Sequence, residues 1–309
     1  MRILVIGGSY FFGRWFVQLA HKEHEITVLN RGNITVGLEG VTELKADRRD
    51  EGQLSALSLE SVKFDAVVDF CAYNRGDIAG ILRFLDTDAL SVYIFISTVD
   101  VYRRGSEAPS SELTPFEDRR AEGDEGAYIE GKIALEHELV KECRNYGIKP
   151  VSIRPAVLYG PGNYAPRENM YFEWIAGAGQ IMHPLGAAGH WQMIYVKDAA
   201  GALKVLLEKP VEEIKEAYNF CTGEPVDYDL FEASLKEAYR LIGNENGYEV
   251  INVAVEDVVS QGIPLPFPLF EDESETYTHE RYDELAVDQT SLSEGLCNCL
   301  KVYSFNGRA

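Results

Sequence analysis

Residues 3–13 read Ile-Leu-Val-Ile-Gly-Gly-Ser-Tyr-Phe-Phe-Gly, and this stretch decides how the rest of the chain is expected to fold. Its first four residues are apolar and mostly β-branched, which predicts a strand buried on both faces, as in a parallel sheet. Glycines follow where that strand would end, and a helix is expected to begin near Phe11. The order of strand, tight turn and helix is typical of the first unit of a doubly wound α/β fold.

The glycine turn fits the spacing G-x-x-G-x-x-G, which presents the N–H groups of a helix N-terminus to a dinucleotide pyrophosphate. Gly7 can adopt the positive φ that the turn needs, and Gly13 allows the helix to pack closely on the sheet. Tyr10 stands at the second glycine, so it must point outward or the cofactor must sit slightly differently. The alternative is a buried strand followed by an ordinary glycine turn. The residues expected to contact the cofactor here are Gly7, Gly8, Ser9, Tyr10, Phe11, Phe12 and Gly13.

The charge balance excludes some classes of partner. The 309 residues include 29 Lys and Arg against 50 Asp and Glu, which gives a net charge of -21. This disfavours nucleic acid, because binding a polyanion depends on clustered cations, and it disfavours an anionic membrane surface. No apolar run reaches the length of a membrane span, and Met1 leads into the first strand without the pattern of a signal peptide.

The five cysteines indicate a reducing compartment. They are odd in number and widely spaced, so reduced thiols in a cytoplasm are the simplest account. Cys297-Asn298-Cys299 is comparable to half of a metal site, but no second Cys or His pair lies nearby at ligand spacing. The prediction is a cytoplasmic protein without a bound metal.

Strand-like and helix-like segments alternate along most of the chain. This alternation predicts a Rossmann α/β fold with a doubly wound parallel sheet, followed by a smaller C-terminal α/β substrate domain. The Rossmann domain is expected to comprise residues 1–162 and about 191–222, and the substrate-binding domain about 163–190 and 223–309. Residues 103–127 are expected to form a mobile loop beside the site. Strands are expected at 25–29, 41–46, 65–70, 92–96, 150–154, 217–221 and 248–253, and helices at 14–20, 53–59, 77–85, 127–146, 194–207, 231–241, 255–259 and 288–295.

The end of the second strand bears on the choice between NAD and NADP. An acidic residue there would hydrogen-bond the ribose 2′-hydroxyl of NAD, whereas an arginine can hold the 2′-phosphate of NADP. Asn30 replaces the acid and Arg31 follows, which favours NADP, although asparagine can still bond a hydroxyl. After the third strand, Asp47 is placed either to meet an adenine edge or to cap a helix. Its neighbour Arg48 is included among the expected cofactor contacts.

Tyr128 and Lys132 are four residues apart on one expected helix, so both side chains lie on the same face. A phenol titrates near pH ~10, and a neighbouring ammonium lowers its pKa by favouring the phenolate. Tyr128 could then take a proton from a substrate hydroxyl while a nicotinamide accepts hydride, with Thr98 orienting the substrate oxygen. Lys132 would also hydrogen-bond the nicotinamide ribose.

The order of the motifs along the chain and the intervals between them strengthen the interpretation of Tyr128 and Lys132 as site residues. A lone Tyr-x-x-x-Lys is common, because an aromatic ring often covers a lysine stem. Here a glycine turn follows the first strand, Ser97-Thr98 ends the fifth strand, and the Tyr-Lys pair lies on the next helix. Together these features predict an active site at the carboxyl edge of the sheet.

With these residues in place, the chain resembles an extended short-chain dehydrogenase of the NAD-dependent epimerase/dehydratase family over nearly all of its length. The stretches 7–13 and 30–32 are similar to the branch that includes nucleotide-sugar epimerase-like proteins and the chloroplast stem-loop-binding proteins. The resemblance implies Thr98 as the hydroxyl of a catalytic triad, Tyr128 as its base and Lys132 as the partner of that base.

Other parts of the cleft are implied by the same resemblance. Asp47 would meet the adenine, and Ala72 would line the cofactor cleft. Arg154 and Pro155 would belong to the turn beside the nicotinamide. Relatives often dimerise through the helices that carry the Tyr-Lys pair, so the resemblance extends to a homodimer.

The reaction is narrowed by the two residues after Thr98. Nucleotide-sugar dehydratases of the family carry Asp-Glu there, whereas this chain has Val99 and Asp100, so epimerisation of a nucleotide-linked sugar is favoured over dehydration. An NADPH-dependent carbonyl reductase and a catalytically idle, cofactor-bound RNA-binding or regulatory protein stay open as alternatives. Arg167 could grip a substrate diphosphate and Gln192 a sugar hydroxyl, but each fits an ordinary surface or hydrogen-bonding residue equally well.

Overall fold

A computed structural model describes residues 1–103, 108–118, 123–244 and 247–306. The expected loop at 103–127 thus lies partly outside the described residues, and its last five residues belong to a helix. The strands are β1 (Arg2–Ile6), β2 (Glu25–Asn30), β3 (Thr42–Lys45), β4 (Ala66–Asp69), β5 (Val92–Ile96), β6 (Lys149–Pro155), β7 (Val157–Tyr159), β8 (Gln180–Leu185), β9 (Met193–Tyr195), β10 (Ala217–Phe220) and β11 (Glu249–Ala254). The helices are α1 (Phe11–Ala20), α2 (Glu51–Ala56), α3 (Asp77–Leu82), α4 (Gly123–Asn145), α5 (Glu168–Ala178), α6 (Val196–Glu208), α7 (Tyr228–Leu241), α8 (Val255–Ser260), α9 (Glu280–Asp283) and α10 (Leu292–Asn306).

Within the described residues, seven strands form one parallel sheet in the order β10-β6-β5-β4-β1-β2-β3. Ile3 in β1 is aligned with Ile26 in β2 on one side and with Ala66 in β4 on the other. The winding direction reverses between β1 and β4, which is the arrangement of a doubly wound sheet. The predicted Rossmann α/β fold is confirmed.

Alternate residues of β1 point to opposite faces of the sheet, and both faces are covered by helices. Ile3 and Val5 join the apolar cluster under α1 and α6, whereas Leu4 and Ile6 join the cluster under α2, α3 and α4. This burial on both sides explains why the strand sequence is continuously apolar. The carboxyl edge of the sheet is then where a ligand can reach several strands at once.

Residues 163–190 and the C-terminal part of the chain build a third apolar cluster outside this sheet. β8 pairs in parallel with β11, and α7 packs against α10. Trp191 and Phe267 stack at the centre, with ring centroids 4.3 Å apart. Residues 163–190 therefore contribute α5 and β8 to this third cluster.

The prediction of a short helix at 288–295 is wrong. α10 begins at Leu292 and continues to Asn306, and its residues Leu296, Cys297, Cys299 and Leu300 are buried in the third cluster. Cys297 and Cys299 are thus free thiols on the buried face of α10. The helix continues past Gly295 because its apolar face packs against α7. None of the described helices is both long and apolar enough to cross a membrane.

Candidate active site

Two adjoining cavities open at the carboxyl edge of the sheet, where the winding reverses, and together they form one cleft. The large cavity has a volume of about 710 Å³ and the small cavity about 360 Å³. Gly7, Arg31, Cys71 and Tyr73 line both. The structure brings Thr98, Tyr128 and Lys132 together in the wall of the large cavity, as the sequence predicts.

Helix α4 presents Tyr128 and Lys132 one turn apart. Tyr128 is 40% exposed to the cleft, whereas Lys132 is only 4% exposed. Gly131 lies between them, and a Cβ at this position would be 3.0 Å from the carbonyl oxygen of Tyr73. The missing side chain at residue 131 therefore allows α4 to approach the segment after β4 closely.

The Lys132 ammonium is buried without a direct carboxylate partner among the described residues. Its Nζ donates hydrogen bonds to the carbonyl oxygens of Ala72 at 3.2 Å and Ile96 at 2.9 Å. Burial lowers the pKa of Lys132 to about 8, with the negative charge of Asp69 opposing that shift. Two of the three ammonium donors are thus used by the protein, and the third can serve a ligand.

The pKa of Tyr128 differs from the sequence expectation. Burial and, next, the negative charge of Asp100 raise the pKa of Tyr128 above its ordinary value, while an interaction with Thr98 opposes them. The expected lowering by Lys132 is absent, because its Nζ lies 5.8 Å from the Tyr128 ring centroid and donates to carbonyl groups instead. The groups of the protein alone therefore keep the phenol protonated at neutral pH.

Thr98 lies two residues after the end of β5 and caps the following turn. Its Oγ1 donates to Asp100 Oδ2 at 2.7 Å and accepts from the Asp100 backbone N–H at 3.2 Å. The adjacent Ser97 Oγ is buried in the cleft wall and has no hydrogen-bond partner among the described residues. An unpaired buried hydroxyl is costly, so this wall is suited to a polar ligand.

The glycines of the turn are required by packing as well as by backbone conformation. Gly7 has a φ of 84°, and a Cβ there would lie 2.9 Å from Cys71 Sγ. A Cβ at Gly8 would lie 2.6 Å from Val5 Cγ1, and one at Gly13 would lie 2.9 Å from the Cα of Gly8. Gly8 is buried and does not line either cavity, so it supports the turn without facing the cleft.

Tyr10 lines the large cavity and is exposed, so both arrangements expected from the sequence stay predictions. It is 46% exposed, and its ring centroid lies 5.4 Å from that of Tyr164. Tyr10 caps α1 without a side-chain hydrogen bond, so the first N–H groups of α1 are not covered by their own cap. These groups fit an anion such as a pyrophosphate. Ser9 lines the small cavity, and Phe11 and Phe12 line the large one.

Asn30, Arg31 and Asp47 line the small cavity together, which fits the expected adenosine end of a dinucleotide. Asn30 Oδ1 accepts from the backbone N–H of Gly32 at 2.7 Å. The capping alternative for Asp47 is wrong, because Asp50 accepts from the backbone N–H of Gln53 and caps α2. Asp47 instead accepts from the backbone N–H of Arg49 at 3.0 Å.

The structure gives Arg48 a role other than a free cofactor contact. Its guanidinium forms a two-pronged ion pair with Asp69, both contacts at 2.8 Å, and also donates to the carbonyl oxygen of Asp77. Tyr93 donates to the same carboxylate at 2.7 Å. Arg48 borders the small cavity, but its charge is neutralised inside the fold.

Two further expectations are changed by burial. Ala72 is fully buried and does not line the cleft; it contributes only its carbonyl oxygen to Lys132. Gln192 is buried, donates to the carbonyl oxygen of Thr222 and accepts from the backbone N–H of Tyr277, so it does not face the cleft as a substrate contact. Pro155 does line the large cavity.

Two arginines of the cleft keep unpaired charges. Arg31 is exposed and lines both cavities, and Arg167 lines the large one. Neither guanidinium has a hydrogen-bond or ion-pair partner among the described residues. In a chain of net charge -21, two unpaired cations in one cleft indicate an anionic ligand.

Sequence reasoning missed several residues of the cleft wall. Tyr73 lines both cavities, and Asn163 and Tyr164 line the large one. Tyr73 could have been found from its place directly after Ala72 at the end of β4. Asn163 and Tyr164 lie in an irregular segment whose sequence carries no periodic signal, so only the fold brings them to the glycine turn.

Comparison with known proteins agrees with this geometry. Residues 3–221 match the model of the NAD dependent epimerase/dehydratase family. A curated relative, the chloroplast stem-loop binding protein of 41 kDa b from Arabidopsis thaliana, is 29% identical over 245 residues. That match covers 74% of this chain and 60% of the relative, so the chain spans about three fifths of the relative's length.

Solved structures show the same fold at low sequence identity. A UDP-glucose 4-epimerase from Thermotoga maritima is 19% identical, with a TM-score of 0.75 and 99% of each chain covered. A dTDP-glucose 4,6-dehydratase from Bacillus anthracis, solved in complex with NAD, is 17% identical, with a TM-score of 0.73 and coverage of 99% of this chain and 97% of that one. At these identities the likeness extends to the fold alone.

Proposed function

Because the chain belongs to the NAD dependent epimerase/dehydratase family, we propose that it is an NAD(P)-dependent epimerase acting on a hydroxyl-bearing carbon of a nucleotide-linked sugar. The observation that carries this proposal is the meeting of Thr98, Tyr128 and Lys132 in one cavity wall, beside an uncapped helix N-terminus. The unpaired Arg31 and Arg167 add the charge that a phosphate-bearing ligand requires.

The residues of the cleft fit a dinucleotide. The glycine turn and the first N–H groups of α1 would hold its pyrophosphate, and Asn30 and Asp47 would hold its adenosine part. Arg31 favours NADP because it is free to meet a 2′-phosphate. Lys132 would give its third N–H to a ribose hydroxyl. When bound, the oxidised cofactor supplies a hydride-accepting ring that carries a positive charge.

Tyr128 is the proposed proton acceptor. Its pKa is raised by burial and by Asp100, so a positive charge in the cleft would oppose both effects and favour the phenolate. Thr98, whose hydroxyl lies at the end of β5, would orient the same substrate oxygen. The proton would pass from the substrate hydroxyl to the Tyr128 oxygen and return when the carbonyl is reduced.

Asp100 bears on the choice between epimerase and dehydratase. Elimination of water needs an acid and a base. Among the described residues, the wall of the large cavity offers one carboxylate, Asp100, and it already accepts a hydrogen bond from the Thr98 hydroxyl. Epimerisation needs the triad and a cavity in which the keto sugar can turn. The large cavity, bounded by 163–167 on one side, is the proposed place for that sugar.

A product analysis tests the proposal. The purified chain is incubated with NAD or NADP and a panel of nucleotide sugars that includes UDP-glucose, and epimers are resolved by proton NMR. We expect conversion without net consumption of cofactor, and loss of conversion in Tyr128→Phe. Stoichiometric consumption of NADPH with a simple ketone would favour the reductase instead.

The RNA-binding alternative is suggested by the likeness to the branch that includes the chloroplast stem-loop-binding proteins, and the net charge of -21 opposes it. Filter binding against salt separates the two: tight RNA binding with a steep salt slope would favour the alternative. The division into a Rossmann domain and a substrate domain, the cytoplasmic location and the homodimer stay predictions.

A further inference from the structure

The Lys132 ammonium is surrounded by aromatic rings instead of carboxylates. Its Nζ lies 4.8 Å from the ring centroid of Tyr73, 4.7 Å from that of Phe95 and 5.8 Å from that of Tyr128. The face of an aromatic ring attracts a cation within about 6 Å of its centroid, and the attraction grows when water is excluded.

The charged neighbours of Lys132 are committed elsewhere. Asp69, on β4, is paired with Arg48, and Glu136, one turn further along α4, is paired with Arg154. Cys71 also faces the ammonium, and burial raises the pKa of its thiol to about 11. The rings and two carbonyl oxygens are therefore the groups that hold this buried cation in place.

Of the three rings, that of Tyr73 is the one set between the two cavities. It lines both of them and is 50% exposed, whereas Phe95 is fully buried in the sheet. Its position is fixed by a hydrogen bond from its backbone N–H to Asp77 Oδ2 at 2.9 Å and by the close approach of its carbonyl oxygen to Gly131. These two backbone contacts fix the position of the Tyr73 main chain, from which the ring extends.

We propose that Tyr73 is a positioning residue for Lys132, and that its ring holds the ammonium charged and aimed into the cleft in place of a carboxylate partner. The ring face is what matters, so phenylalanine can replace tyrosine and an aliphatic residue cannot. The consequence for turnover rests on the proposed function, whereas the effect on the titration of Lys132 does not.

The titration of Lys132 tests the proposal directly. Lysines are isotope-labelled at Cε, the Lys132 resonance is identified by its loss in Lys132→Met, and its titration is followed by NMR. We expect native protein and Tyr73→Phe to titrate near pH 8, and Tyr73→Leu to titrate lower by about half a unit to one and a half units, because the ring attraction is lost. Tyr146→Leu, equally exposed but beyond the end of α4, is the matched control and should leave the titration unchanged.

A graded series keeps the shape of the side chain constant. Mono-, di- and trifluorinated phenylalanines introduced at residue 73 weaken the ring face in steps, and we expect the Lys132 titration to fall stepwise with them. Three outcomes would overturn the proposal. The Lys132 titration could stay constant across the fluorinated series, it could be native-like in Tyr73→Leu, or it could be the same in Tyr73→Phe as in Tyr73→Leu. If the titrations follow the expectation while no nucleotide sugar is converted, the proposed function fails and this inference stands.

Discussion

Two sets of polar residues around the cleft differ in whether a carboxylate of the protein pairs with them. The paired set comprises Arg48 with Asp69 and Arg154 with Glu136, each joined by two hydrogen bonds and each met by a buried tyrosine hydroxyl. The open set comprises Tyr128, Lys132, Arg31 and Arg167, none of which has a carboxylate partner among the described residues.

This difference separates residues that the fold explains from residues that it does not. A buried cation joined to a carboxylate is accounted for by the protein itself. A buried cation without one, such as Lys132, is costly in a folded chain, and an exposed one such as Arg31 stays free to meet a ligand. The predictions below test this division, from the largest expected effect to the smallest.

Replacing the proposed base should have the largest effect. We expect Tyr128→Phe to lower turnover about 10²–10⁴-fold, because it removes the proton acceptor alone, while NADH affinity stays within about threefold. Steady-state rates and NADH fluorescence titration measure the two quantities, with Tyr146→Phe as the control. Activity that survives within a few-fold would remove Tyr128 from the mechanism.

Breaking the paired set should affect stability rather than ligand binding. Arg48→Met leaves Asp69 buried and unpaired, so we expect a loss of about 3–5 kcal/mol in the free energy of unfolding. Arg31→Met, in the open set, should change it by less than about 0.5 kcal/mol. Urea unfolding measures the free energy of unfolding of both variants. Similar losses in both variants would show that the two sets are not distinct.

Lys132 should make the free energy of unfolding depend on pH. Its folded pKa of about 8 lies below the ordinary 10.5, so between these values the unfolded chain binds the extra proton and stability rises with pH. The gain from this group is about 3 kcal/mol. Urea unfolding from pH 7 to 10.5 gives the free energy of unfolding of native protein and of Lys132→Met. The difference between the two should grow by this amount, since all other groups titrate in both proteins. A constant difference across this range would contradict the lowered pKa.

The smallest effect is expected at the adenosine end. Arg31→Ala should weaken NADP about tenfold more than NAD, because the lost charge would face the 2′-phosphate, which NADP alone carries. Calorimetric titration with both dinucleotides measures this, and Arg49→Ala, whose guanidinium pairs with Asp77, serves as the neighbouring control. An equal loss for both dinucleotides would place Arg31 away from the 2′-position.

The main sheet could be predicted because its signals are local. β5 has the predicted bounds, and α1 begins at Phe11 as expected, since apolar runs and glycine turns act within a few residues. α4 begins at Gly123, four residues before the predicted start at Ala127. These four residues were assigned to the expected loop because glycines and charged residues are frequent there. Strand ends and helix starts depend on tertiary contacts that no short pattern contains.

The site was predictable where spacing alone brings residues together, as for Tyr128 and Lys132. It was not predictable where the partner is distant in the chain. Arg48 meets Asp69 across 21 positions, and Gln192 meets Tyr277 across 85, so neither burial could be seen beforehand. The direction of the Tyr128 pKa shift was missed because burial and the nearby charge of Asp100 set it, and the fold decides both.

The contrast between an acidic chain and the two unpaired arginines of the cleft, Arg31 and Arg167, has a kinetic consequence. An anionic dinucleotide approaching this molecule is repelled by the overall charge of -21 and feels the arginines only at close range. Added salt shortens the reach of that repulsion, with a screening distance of about 10 Å at 0.1 M. Capture of the dinucleotide should therefore become faster as ionic strength increases, which is the reverse of the behaviour of a protein that attracts polyanions from afar.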